Sequence, residues 1–228
     1  MADIIESITK QCTEKIIDQM DNYFYEINPV ETEPTLGIFS KLKIKDKDIP
    51  ILIINKYLKN NEITKGLNIS QNNTIKNIEL GDTIYKNKEY NVTIIEIKEK
   101  EKDKINFIDI YDKIYEKESE IYYDKSPIYI LQWNLTEDIE DISVSFGEIK
   151  DLNDLKIKYC SGMNLNSRIS LIFDLYDNKL IGIHNKNDNF YDYGVFIKFL
   201  INEFINNYKI TINKYKHEKI ESSANEIH

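Results

Sequence analysis

Leu171-Ile172-Phe173-Asp174-Leu175-Tyr176-Asp177-Asn178-Lys179-Leu180-Ile181-Gly182-Ile183-His184 is the stretch on which the fold turns. Two apolar runs flank Tyr176-Asp177-Asn178-Lys179, and Asp and Asn at such a junction favour a tight turn. The stretch therefore predicts a β-hairpin. Upstream, Ile142-Ser143-Val144-Ser145-Phe146-Gly147 alternates with the two-residue period of a half-buried strand, and Ile128-Tyr129-Ile130-Leu131-Gln132-Trp133 reads as another strand. Downstream, Phe196, Phe199, Leu200 and Phe204 form a helical stripe that predicts a helix over 195–208, followed by a polar tail that should fray.

The first half has the same texture. Pro50-Ile51-Leu52-Ile53-Ile54-Asn55 is a continuous apolar run, as in a strand buried on both faces. Leu36 to Ile44 alternates in part, and Tyr90 to Ile97 is rich in β-branched residues. Lys98 to Lys104 reads as an exposed turn, and the polar stretch 113–125 as the joint between two halves. At the start, Ile5, Ile8, Cys12, Ile16, Met20 and Phe24 recur at three- and four-residue steps, predicting a helix over 4–25. Asn28-Pro29 to Glu33-Pro34 breaks the chain after it. The expected organisation is a helix and linker at 1–34, a first unit at 35–112, a second unit with its helix at 113–210, and a tail at 211–228.

Composition narrows the function classes. Of the 228 residues, 41% are hydrophobic, enough for a core, and the net charge is −9. An acidic chain with interspersed lysines is a poor phosphate-backbone binder, so no nucleic-acid partner is expected. No apolar stretch approaches the ~18–20 residues of a membrane span, so no membrane association is expected. Two cysteines, Cys12 and Cys160, supply no disulfide framework. With no leader pattern at Met1-Ala2-Asp3-Ile4, they point to a reducing, cytoplasmic compartment. Three histidines and two cysteines without ligand spacing give no metal site, and no cofactor is implied. From pattern alone the class is all-β, a barrel with terminal helices.

Three ordered segments carry a resemblance further. Ile51-Leu52-Ile53-Ile54-Asn55-Lys56-Tyr57-Leu58 resembles the L-I-T-N-N-H-V-L strand and turn of intracellular trypsin-like serine peptidases. Lys88-Glu89-Tyr90-Asn91-Val92-Thr93-Ile94-Ile95-Glu96-Ile97 is similar to their K-E-Y-D-V-T-I-I-E-I segment. Asn166-Ser167-Arg168-Ile169-Ser170-Leu171-Ile172, then Asn178 to His184, resembles G-S-S-G-S-P-I followed by N-N-K-V-I-G-I-H. Tyr193-Gly194-Val195-Phe196-Ile197-Lys198-Phe199 looks like the short segment before that family's last helix. The resemblance implies two six-stranded antiparallel β-barrels with a helix at each end. It places the general base at Tyr57, the orienting carboxylate at Asn91 and the nucleophile at Arg168.

None of these side chains can do that chemistry. A phenol is a poor base at neutral pH, an amide has no charge to steady an imidazolium, and a guanidinium offers no nucleophilic atom. The frame differs too: Asn166 and Ile169 stand where glycines are expected and Leu171 where a proline is, so the backbone donors of an oxyanion hole are in doubt. Independently of alignment, the histidines are His184, His217 and His228, so no histidine lies in the first half, where a trypsin-order base belongs.

The chain is accordingly expected to be a catalytically inactive protease homologue that binds a protein partner, with His184, Asn166 and Ser167 as pocket candidates. His184 stands where the family lines its specificity pocket and could contact a side-chain amide, or be held by a hydrogen bond inside a barrel. Arg168, the sole arginine, is either drift or a partner for a carboxylate. Cys160 is expected to be a small buried hydrophobe. Two alternatives stand beside this: a subunit of a larger assembly, with oligomerisation through the N-terminal helix, and a peptidase with a relocated centre using Cys160 or Ser167 with His184.

Overall fold

The run Ile49 to Ile54 is buried along its whole length because it faces two cores at once. Leu52 and Ile54 point into a barrel, and Ile49, Ile51 and Ile53 point outward into a cluster shared with a second barrel. In the computed structural model, residues 10–28, 35–44, 47–59, 66–71, 74–110, 125–135, 140–152, 155–161, 169–187 and 191–225 are described. The chain order is α1 (Lys10–Asn22), β1 (Phe24–Asn28), β2 (Thr35–Ile44), β3 (Lys47–Ile54), β4 (Gly66–Gln71), β5 (Thr74–Asn87) and β6 (Val92–Ile97). After a 3-10 turn (Glu99–Lys104) come β7 (Pro127–Leu135), β8 (Glu140–Leu152), β9 (Lys156–Ser161), β10 (Ile169–Asp174), β11 (Leu180–Asn187), β12 (Asp192–Phe196) and α2 (Ile197–Asn225).

The strands close into two six-stranded antiparallel barrels, the fold class expected from the sequence. Their orders are β1-β2-β3-β6-β5-β4 and β7-β8-β9-β12-β11-β10, one pattern used twice. The first interior holds Tyr25, Ile27, Phe39, Leu52, Ile54 and Ile95 among others. The second holds Ile128, Ile130, Ile149, Ile157, Tyr159, Ile172, Ile181 and Phe196. Tyr25 packs edge-on to Phe39 at 4.9 Å between ring centroids, a favoured aromatic geometry.

Between the barrels lies a third core. Outward residues of β2, β3 and β6 (Ile38, Ile53, Ile94) meet those of β7, β10 and β11 (Leu131, Leu171, Ile183). Each such Ile or Leu contributes ~1.5–3 kcal/mol on full burial, so the barrels are coupled by the same force that fills them. The segment after the 3-10 turn is stitched to both: the Ile108 N–H donates to the Phe39 carbonyl at 2.8 Å, and the Leu180 N–H to the Asp109 carbonyl at 2.9 Å.

The terminal helices depart from expectation. The N-terminal helix stops at Asn22, and Phe24–Asn28 is the strand that closes the first barrel against β4. Phe24 continued the helical spacing by coincidence. As a strand it enters the inter-barrel core, which a helix ending there would leave open. The first barrel therefore begins ahead of residue 35. At the other end, Asp192–Phe196 is a strand paired with β9 and β11, and the helix runs on to Asn225 through the expected tail. The 98–104 stretch is mostly exposed, but Glu101 is buried and paired with Lys104 at 2.6 Å. The joint expected at 113–125 falls almost wholly outside the described residues, as do Ile5 and Ile8.

Candidate functional site

β3 ends at Ile54, and the chain bends through Asn55 and Lys56 to Tyr57 and Leu58. β6 begins at Val92, antiparallel to β3, so Asn91 and Thr93 lie beside that bend. The Tyr57 N–H donates to Asn91 Oδ1 at 2.9 Å, the Leu58 N–H donates to Thr93 Oγ1 at 3.0 Å, and the Thr93 hydroxyl donates to the Lys56 carbonyl at 2.8 Å. Asn91 takes a left-handed backbone (φ 53°), which Asn tolerates better than most residues. Thus the positions assigned to base and orienting carboxylate do come together. What joins them is an amide oxygen on a backbone N–H. The Tyr57 side chain is 36% exposed, and Asn91 is exposed.

Arg168, Ser167 and Asn166 lie outside the described residues. The strand that follows is defined: Ile169 pairs with Trp133, and Leu171, at the proline position, is buried between the barrels. Leu171 and Ile183 meet Phe24, Leu36, Ile38 and Ile53 across the seam, leaving a cavity of only about 10 Å³.

The second barrel holds a different kind of corner. Gly182 pairs with Phe196, and a Cβ there would come within 2.5 Å of Ile157 Cδ1 and 2.9 Å of the Val195 carbonyl oxygen. The glycine lets β11 pass close over the barrel filling, and that sets the height of Ile183 and His184. His184 Nδ1 lies 2.7 Å from the Tyr159 hydroxyl, with the rings edge-on at 79°. Tyr159 is fully buried, and burial with Asp192 nearby pushes its phenol well above its ordinary range. A phenol that keeps its proton donates to Nδ1, which places the proton of a neutral imidazole on Nε2. Opposite Tyr159 on β12, Asp192 is nine-tenths buried and accepts from Ser161 Oγ at 2.8 Å.

Tyr159, Asp192 and Ser161 were not anticipated from the sequence. Lys156-Ile157-Lys158-Tyr159 shows a strand facing inward at Tyr159, but nothing local to it says that a histidine waits there. The expectation for Cys160 is corrected: it is exposed, and Cys12 is the buried cysteine. The cause is strand alternation, because Tyr159 faces inward and its neighbour must face out. Cys160 therefore sits on the face of β9 opposite the phenol that touches His184. Among the described residues, no group of three or more His, Cys, Asp or Glu side chains is arranged to hold a metal, and no helix is long and apolar enough to cross a membrane.

No family model matches the chain, and no curated protein matches it. Among solved structures it is similar to catalytically active tobacco etch virus protease bound to product, with 15% identity over 78% of this chain and 74% of that one and a TM-score of 0.46. It is also similar to catalytically inactive tobacco etch virus protease bound to substrate (15% identity, 78% and 79% coverage, TM-score 0.47). A human pathogenic astrovirus serine protease shows 11% identity over 76% of this chain and 88% of that one, with a TM-score of 0.44.

Proposed function

We propose that this chain is a catalytically inactive homologue of the trypsin-like peptidases that works by binding a protein partner. One observation carries the reading: where β3 and β6 bring a general base and its carboxylate together in such enzymes, this chain has a phenol and an amide, and the amide is spent on a backbone N–H. The absence of any histidine before His184 supports it without reference to alignment. His184, held by Tyr159, is the residue to contact a side-chain amide of the partner. Its compartment in this reading is the cytoplasm.

A mixed peptide library and a fluorophosphonate probe test the first part. No cleavage and no labelling are expected. Cleavage that is sequence-selective and lost on His184→Ala would overturn it. Affinity capture from the native cell, followed by calorimetry of the captured protein against wild type and His184→Ala, tests the second. A partner bound equally by both removes His184 from the site.

The relocated peptidase has less support. Cys160 points to the outside of the barrel while Tyr159 and His184 meet on the inside, and Ser167 lies outside the described residues.

A further inference from the structure

The helix α1 precedes the first barrel in the chain, yet it is seated on the second. Its Cys12 and Ile16 are buried in the core between the barrels. Gln19, only 2% exposed, donates through Nε2 to the Asn178 carbonyl at 2.9 Å and accepts from the Tyr129 hydroxyl at 2.5 Å. Cys12 Sγ donates toward the Leu175 carbonyl at 3.3 Å. The seat belongs to the second barrel's own packing. Tyr129 is fully buried and stacks on Phe173 with ring centroids 5.0 Å apart. The Asn178 N–H donates to the Asp174 carbonyl at 3.1 Å, which holds the turn between β10 and β11 under the helix.

The far end of the helix is held by the first barrel. α1 stops at Asn22 and β1 starts at Phe24, so Tyr23 alone separates them. The Tyr23 N–H donates to the Gln19 carbonyl at 3.3 Å, which ties this corner to the residue that reaches the second barrel. From β4, Gln71 Nε2 donates to the Asn22 carbonyl at 2.7 Å and lies 3.4 Å from the Phe24 carbonyl. Asn106 Nδ2 donates to the Asn22 carbonyl at 3.1 Å. Past the corner, β1 closes the first barrel by pairing Glu26 with Ser70, Ile27 with Ile69 and Asn28 with Asn68. One residue spans at most ~3.5 Å, so the helix cannot lift from its seat without pulling on that strand.

We propose that α1 and β1 are one conformational lever: seating of α1 on the β10–β11 turn holds β1 in the first barrel, and release of the helix opens the β1–β4 seam. Gln19 is the lever's grip on the second barrel, and Gln71 is the first barrel's grip on the lever. Weakening either grip loosens the contact at the other, because coupling between two contacts is reciprocal. Opening the seam leaves β1 and β4 with unpaired backbone edges where the closed barrel has none. An event at the β10–β11 turn, whose Tyr176 is 68% exposed, would reach the other barrel by this route. The lever rests neither on the chain being inactive nor on its binding a partner.

Native-state hydrogen exchange of the full chain in rising urea reads the lever, because amides that open together share one opening free energy. In wild type, the helix amides at 16–20 and the strand amides at 25–28 should share one opening constant, larger than that of 52–54 in β3. Gln71→Ala alters the first barrel's grip and should raise the opening constant of the helix amides about threefold to tenfold. Tyr129→Phe removes the hydroxyl at the other grip and should raise that of the strand amides by a similar factor. Helix amides that open while 25–28 stay as protected as β3 would overturn the lever, as would a single opening constant for all three segments. A helix unmoved by Gln71→Ala, or a strand unmoved by Tyr129→Phe, would equally overturn it. Where a variant does not fold, the wild-type profile decides by itself.

Discussion

The two barrels share one strand order but hold their polar corners by different means. In the first, the contacts among Tyr57, Leu58, Asn91 and Thr93 all end on backbone groups. In the second, Tyr159 meets His184 and Ser161 meets Asp192 side chain to side chain. A bond to backbone keeps a bend in shape and leaves the side chain at that bend unconstrained. A bond between side chains fixes the orientation and protonation of a particular ring. So the first corner holds a backbone bend, while the second holds an oriented imidazole.

Replacing Thr93 with Val gives the largest expected effect. The buried Leu58 N–H would lose its acceptor and the Lys56 carbonyl its donor, a cost of ~2–3 kcal/mol readable by urea unfolding. A loss under ~0.5 kcal/mol would show that the first corner does not depend on these bonds. Tyr159→Phe comes next, at ~1–2 kcal/mol, from leaving His184 Nδ1 without the phenol. It should also shift His184 from a dominant Nε2–H tautomer to a mixture in nitrogen-detected NMR. An unchanged tautomer would mean that the second corner is not set by Tyr159. Asn91→Ala removes an exposed acceptor and a residue suited to positive φ, for ~1 kcal/mol by the same unfolding assay. Tyr57→His should be nearly neutral, within ~0.5 kcal/mol, because the side chain is exposed and only the backbone is held. It should give no peptide turnover. Turnover from this single change would break the comparison at its root.

Parts of the fold were legible because the chain writes them locally. The doubly buried run of β3 and the turn between β10 and β11 both follow from residues within a few positions of one another. β1 was not legible, since Phe-Tyr-Glu-Ile-Asn follows a helix whose spacing Phe24 happens to extend. β4 and β5 hide in Asn, Lys and Thr, with one face wet along much of their length. β12 runs straight into α2, and its apolar residues fit either period. In the site, His184 stood out through its Gly-Ile-His context, whereas Tyr159 reaches it only because β12 lies between β9 and β11.

By itself the sequence determined the all-β texture, the doubly buried strand, the hairpin around Asp177, and the want of a histidine in its first half. Only the tertiary structure decided that two barrels repeat one strand order, that Asn91 serves a backbone N–H, that Tyr159 meets His184 with Asp192 across from the tyrosine, and that α1 crosses from one barrel to seat on the other. The reason lies in range. Periodicity and turn chemistry act over a few residues and are written where they act. Barrel closure and side-chain pairing join residues far apart in the chain, and only the burial of both faces of the strands brings those partners together.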